Sequence, residues 1–262
     1  MKLFYGWVVV GAGIVITCIG FGTALSLGVF LQPMSAATGW SRAAISSAAM
    51  IDFLCMGIAS LFWGALSDRI GTRLVVISGG LLLGAGLIAS SRVTTIEQFL
   101  LAFAFVGVAA GSFYAPLTAT ATHWFTRHRS LAVALISAGF AVGSMTMSPF
   151  ARWLIDDYGW RIAMLTLGAH SWLLIIPAAL LIRKPPAPPR AAGARASTIP
   201  PDREFTVARA LCTPQFAAIS FTYFACCAAH SGPIFHMVSY AIAAAYRPWL
   251  PLPCSGRRAW HL

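Results

Sequence analysis

Apolar residues run through this chain in long blocks, separated by short polar clusters. The blocks cover roughly residues 5–31, 43–66, 74–91, 96–122, 131–155, 162–182 and 214–246. At about 1.5 Å per residue, each predicts a helix long enough to cross an apolar slab of roughly 30 Å. The clusters between the first six are so short that neighbouring helices must lie antiparallel. Gln32-Pro33 is expected to end the first helix, and Ser41 to cap the second. Pro116 and Pro149 fall inside blocks, where a missing N–H and a bulky ring predict bends. Gly79, Gly80, Gly84 and Gly86 predict close helix contacts in the third block. Gly107…Gly111 and Gly139…Gly143, each a small-x-x-x-small pair, predict the same in the fourth and fifth.

Composition turns these helices into membrane spans. The chain has 262 residues, 58% hydrophobic and 10% charged, with mean hydropathy +0.77. A soluble domain carries about a quarter charged residues, so the bilayer is the expected solvent and partner. The apolar stretch after Met1-Lys2 runs too far for a cleaved signal peptide, so it is expected to stay as a span. The net charge of +11 is explained by topology. Eleven basic residues fall in the loops on one side of the first six predicted spans and four on the other, which puts the first side and the N-terminus in the cytoplasm. Arg247, Arg257 and Arg258 of the tail would fall on the other side if the seventh span crosses, against the rule. Nucleic acid is therefore not an expected partner. Cys18, Cys55, Cys226 and Cys227 lie inside apolar blocks without C-x-x-C spacing, so neither a metal nor a redox centre is expected. No cofactor motif and no catalytic arrangement of side chains is visible, so no enzyme is expected.

The cluster between the second and third spans, Gly64-Ala65-Leu66-Ser67-Asp68-Arg69-Ile70-Gly71-Thr72-Arg73, is the most informative stretch. Its Gly-x-x-x-Asp-Arg-x-Gly-x-Arg pattern resembles the loop signature of the major facilitator superfamily of secondary transporters. Trp124 to Ala132, followed by Ser137-Ala138-Gly139-Phe140-Ala141-Val142-Gly143, resembles the loop-to-span-five signature of monocarboxylate porters and oxalate:formate antiporters. Tyr5-Gly6-Trp7-Val8-Val9-Val10 and the Gly107…Gly111…Tyr114…Pro116 series are similar to the same branch. The resemblance covers roughly residues 4 to 243.

That resemblance implies an all-α membrane protein, the six-helix N-terminal half of a twelve-helix fold, built of two inverted three-helix repeats. A seventh transmembrane helix follows. A weak echo between 38–44 and 158–163 fits internal repetition. The expected units are 1–184 (the bundle), 185–213 (a cytoplasmic Pro/Ala/Arg-rich linker), 214–246 (the seventh span) and 247–262 (an aberrant tail). The tail is expected to be a frameshift product and the second half lost. The implied function is transport of small organic anions such as monocarboxylates by alternating access, with a proton or counter-anion as co-partner. Alternatives are a non-transporting membrane fragment, or a drug or sugar transporter of the same superfamily. The expected location is a bacterial inner membrane.

By the same resemblance, Gly64, Asp68, Arg69, Gly71 and Arg73 form a conformational latch. Tyr114 lines a substrate cavity, with Thr118 one turn on and Leu25 as an apolar wall. Asp52, an acid within an apolar block, needs a cavity or a partner. His230 and His236 flank Gly232-Pro233 six residues apart, a spacing that suits a cavity wall better than a metal site. Arg152 and Asp156 are spaced for an i, i+4 ion pair. No Lys or Arg lies mid-span in the first six helices. Ser26 and Leu27 occupy the place where animal monocarboxylate transporters carry a lysine.

Overall fold

A computed structural model describes residues 4–125, 127–183 and 212–245, the last segment with side chains to residue 229. The helices are α1 (Tyr5–Leu25), α2 (Leu27–Thr38), α3 (Arg42–Ile70), α4 (Thr72–Ser90), α5 (Ile96–Ala110), α6 (Tyr114–Trp124), α7 (Arg129–Leu180) and α8 (Pro214–Ala245). The chain divides into two compact units, 1–193 and 194–262. In the second unit α8 is 32 residues long, about 48 Å at the helical rise. The predicted linker and tail lie almost wholly outside the described residues.

In the first unit, five helical runs are long and apolar enough to cross a bilayer: Tyr5–Thr38, Arg42–Ile70, Thr72–Ser90, Ile96–Trp124 and Arg129–Leu180. The last, at 52 residues, would reach about 78 Å if straight, more than twice a bilayer core. It doubles back at Gly159, whose φ of 80° and ψ of 162° are not helical. Its limbs, 129–158 and 160–180, are therefore separate crossings, and the unit is a six-span bundle.

Several expectations are refined. The first span does not stop at Gln32-Pro33. It tightens at Ser26, passes through Pro33 and ends at Thr38, where Gly39 caps it in the left-handed conformation (φ 75°, ψ 4°). Pro149 leaves its helix unbroken. Pro116 does act: lacking an N–H, it cannot bond the Ser112 carbonyl four residues back. The chain there tightens, with Ser112 N–H donating to Ala109 O (3.0 Å) and Phe113 N–H to Ala110 O (3.3 Å). Span four is accordingly two helices, α5 and α6. Ser41 caps α3 as expected, its Oγ accepting from Ala44 N at 3.1 Å.

The spans pair through glycine. A Cβ on Gly107 would stand 2.9 Å from Asp52 Cα, and one on Gly143 would stand 2.9 Å from Cys18 Cα. Each Gly-x-x-x-Gly pair thus lets one helix rest directly on another: α5 on α3, and the first limb of α7 on α1. Side chains then staple backbones across these contacts. Thr17 Oγ1 lies 2.9 Å from Ile136 O, Trp63 Nε1 donates to Val108 O at 2.7 Å, and Trp172 Nε1 donates to Leu81 O at 3.0 Å. The apolar core gathers Ile16, Val76, Leu83, Val106, Phe113 and Ile175 from both three-span sets.

The two ends of the bundle differ. At one, Phe4 and Tyr5 meet Trp124 and Phe125, Tyr5 OH donates to Leu181 O (2.9 Å), and Trp124 Nε1 donates to Arg183 O (2.9 Å). The other brings Trp40 to Phe99, ring centroids 6.0 Å apart, and Arg161 to Ser91. Because α3 ends where α1 begins, the first end carries Gly71 and is the Gly71 face of the bundle. The second carries Gly159 and is the Gly159 face.

Candidate functional site

The cluster that looked like a ten-residue polar loop is mostly helix. The helix α3 runs through Ile70 and α4 starts at Thr72, so Gly71 alone makes the turn, with φ 92° and ψ 148°. A backbone with positive φ and extended ψ is essentially open to glycine only. The turn is pinned by a buried hydroxyl chain: Ser67 Oγ to Thr72 Oγ1 at 3.0 Å, and Thr72 Oγ1 to Thr120 Oγ1 at 2.6 Å. It ties the ends of α3, α4 and α6 together. Nothing in the sequence announces it, because three ordinary hydroxyl residues so far apart carry no pattern.

Asp68, Arg69 and Arg73 are exposed around this pinned turn. Asp68 makes no ion pair among the described residues. It lies in the last turn of α3, where the helix dipole already presents negative charge. Its own helix therefore disfavours it, and an opposing helix N-terminus would favour it. Arg69 sits well in the same turn for the converse reason. Gly64 is different again: a Cβ there would meet nothing within 4 Å, so close packing does not demand glycine.

The second group is the hydroxyl-bearing face of α6. Tyr114 is 40% exposed, and its hydroxyl lies 2.9 Å from Ser137 Oγ on the first limb of α7. Ser137 Oγ donates its single proton to Val133 O at 2.9 Å, so Tyr114 is the donor between the two. Thr118 and Thr122 follow one and two turns on, their hydroxyls donating to Tyr114 O (2.9 Å) and Ala119 O (2.8 Å). Only the Tyr114 proton is held by another side chain, and it can be handed to an incoming acceptor at little cost. Ser137 was not singled out in the sequence.

Of the remaining predicted positions, Leu25 and Asp52 are packed away. Leu25 is 8% exposed and Asp52 4%, so neither shares the open face of Tyr114 and Thr118. Asp52 sits where Gly107 of α5 rests on α3, and its Oδ1 is buried without a hydrogen-bond partner among the described residues. His230 and His236 lie in α8, but their side chains are outside the described residues. His170, in the second limb of α7, was not singled out in the sequence; its ring stands 5.5 Å from Phe150. Among the described residues no cluster of His, Cys, Asp and Glu could hold a metal ion.

Comparison with known proteins agrees with this architecture. The chain is 33% identical over 181 residues to monocarboxylate transporter 13 of Rattus norvegicus, covering 68% of this chain and 42% of that one. It is 34% identical over 199 residues to monocarboxylate transporter 11 of Mus musculus, covering 71% and 43%. The chain thus spans less than half the length of these relatives. The fold resembles a crystal structure of a bacterial homologue of the human lysosomal transporter Spinster, inward-facing and unoccupied. The TM-score is 0.70 at 15% identity, over 92% of this chain and 56% of that one. The profile of the Major Facilitator Superfamily matches residues 12–252. With nearly its whole length matched, and six antiparallel spans turning on Gly71 and Gly159, this membrane-embedded chain belongs to the Major Facilitator Superfamily.

Proposed function

We propose that the six-span bundle is one half of a carrier that moves small organic anions, monocarboxylates among them, across a membrane by alternating access. The observation that carries this is the exposed Tyr114 hydroxyl, a donor held only by Ser137 on a face shared with Thr118. A carboxylate leaving water needs such donors, because an unpaired charge in an apolar wall is costly. The likeness to monocarboxylate transporters supports the same substrate class. Lacking a mid-span Lys or Arg, the bundle would draw the cationic partner of the anion from a complementary half. Asp52, buried with an unpartnered oxygen, is the candidate for coupling to a proton, with a counter-anion as the alternative co-partner. The excess of basic residues on the Gly71 face supports a reading in which that face and the N-terminus are cytoplasmic, and the membrane is read as a bacterial inner membrane.

Uptake of labelled monocarboxylates into proteoliposomes tests the function, with the chain alone and with a complementary six-span half. Saturable uptake in at least one preparation is expected. Tyr114→Phe should then raise KM by roughly tenfold or more, since a hydrogen bond to a charged group contributes about 1.5–3 kcal/mol. Absence of saturable uptake in both preparations would refute the carrier, and an unchanged KM would remove Tyr114 from the site.

A further inference from the structure

Two hairpins at opposite ends of the bundle share one local plan. Asp68-Arg69-Ile70-Gly71-Thr72-Arg73 joins α3 to α4, and Asp156-Asp157-Tyr158-Gly159-Trp160-Arg161 joins the limbs of α7. Both read Asp-x-x-Gly-x-Arg. Both turn on a single glycine in the same rare conformation, φ 92° and ψ 148° at Gly71, φ 80° and ψ 162° at Gly159. Gly39, the other positive-φ glycine among the described residues, is left-handed helical (ψ 4°), so the match is not a general feature of tight turns here. The echo seen in the sequence between 38–44 and 158–163 joined the wrong partners; by backbone, Gly159 corresponds to Gly71.

The surroundings repeat as well. In each three-span unit the acid ends the second span and the arginine opens the third. The crossings match too, Gly107 resting on Asp52 and Gly143 on Cys18 at the same 2.9 Å from Cβ to Cα. The hairpins lie on opposite faces, Thr72 bonding Thr120 on one and Arg161 Nη1 donating to Ser91 O (2.9 Å) on the other. This is the relation an inverted repeat produces.

We propose that the Asp156–Arg161 hairpin is a second latch, acting on the Gly159 face in the opposite sense to Asp68–Arg73. The inference rests on the carrier function proposed above. Asp156, like Asp68, ends a helix whose dipole disfavours it, so it gains by docking on the N-terminal end of an opposing helix. Such docking is available only while that face is closed. Asp68 therefore favours closure of the Gly71 face, and Asp156 closure of the Gly159 face. The two latches differ in one respect. Asp156 is already paired with Arg152 (2.7 Å), and Arg161 is drawn over the Trp160 ring (4.5 Å) and onto Ser91 O. Arg152 thus competes with the latch, which sets opposite signs for two variants in one hairpin.

The test uses a single reporter cysteine, Tyr114→Cys, with the native cysteines replaced by serine. It is made in whichever preparation supports uptake, and an impermeant maleimide is applied from either face. Asp156→Asn should raise labelling from the Gly159 face, relative to the Gly71 face, by roughly two- to fivefold. Arg152→Gln, by releasing Asp156, should lower it, and Asp68→Asn should lower it as well. If Asp156→Asn leaves the ratio unmoved, or moves it with Asp68→Asn, while Asp68→Asn does shift it, the second latch is refuted and the carrier stands. If Asp68→Asn also shifts nothing, both latches are refuted, and the carrier still stands on the uptake that the preparation supports. Should Asp156→Asn fail to elute as a monodisperse species, Arg152→Gln decides alone, and an unchanged ratio overturns the proposal.

Discussion

Gly159 meets nothing within 4 Å of where a Cβ would stand, yet its backbone admits few residues. The demand for glycine there is conformational, not steric. Gly39 also has positive φ, but in the left-handed helical region that Asn tolerates. Gly159→Asn should therefore destabilise the bundle by roughly 1–3 kcal/mol, while Gly39→Asn costs little. Thermal unfolding in detergent of the two variants side by side measures this, and equal losses would contradict the conformational account. Asp52 raises a different question at this scale, since an acid within a membrane span invited a cavity, and the fold placed it in a helix crossing instead.

At the scale of helices, the bundle is organised by where glycines let backbones touch. Gly107 is bound by contact: a side chain there would strike the Asp52 backbone. Gly57 and Gly64, on α3, face open space. Gly107→Ala should separate α5 from α3 and lower the unfolding temperature. Gly57→Ala and Gly64→Ala should be neutral or raise it, since Ala is favoured over Gly in a helix interior by up to about 1 kcal/mol. A Gly107→Ala variant as stable as the parent would show that the crossing does not depend on this contact. The long fifth run makes the complementary point. Its 52 residues form two helices, because the non-helical backbone of Gly159 turns the chain between the limbs.

On the scale of the whole molecule, α3 presents a stripe of Met50, Leu54, Ile58, Leu61 and Phe62, each more than half exposed. Their spacing is helical, so they form one continuous apolar face. In water this would be a liability; in a bilayer it meets lipid or a complementary half at no penalty. The six-span topology also predicts sidedness. A cysteine at Arg73 and one at Arg92, both exposed, should react with impermeant reagent from opposite sides of the membrane. Arg73 should be reached from the side that the basic residues mark as cytoplasmic. Labelling of both from one side would contradict the crossing of α4.

Sequence alone determined that the chain lives in a bilayer, where its spans begin and end to within a few residues, except the far end of the first, and which motif marks the turn at Gly71. Those properties are local: block length, charge density and the chemistry of glycine and proline are written in neighbouring residues. It also placed Tyr114 and Thr118 on one helical face, because a spacing of four needs no partner to be read. Tertiary structure decided the rest. It chose Ser137 as the acceptor for Tyr114, joined Ser67 and Thr72 to Thr120, buried Leu25 and Asp52, and matched Gly159 to Gly71 rather than to Gly39. Each depends on which helices lie side by side, and an all-apolar helix in lipid has no wet face to reveal in advance which side will meet a neighbour.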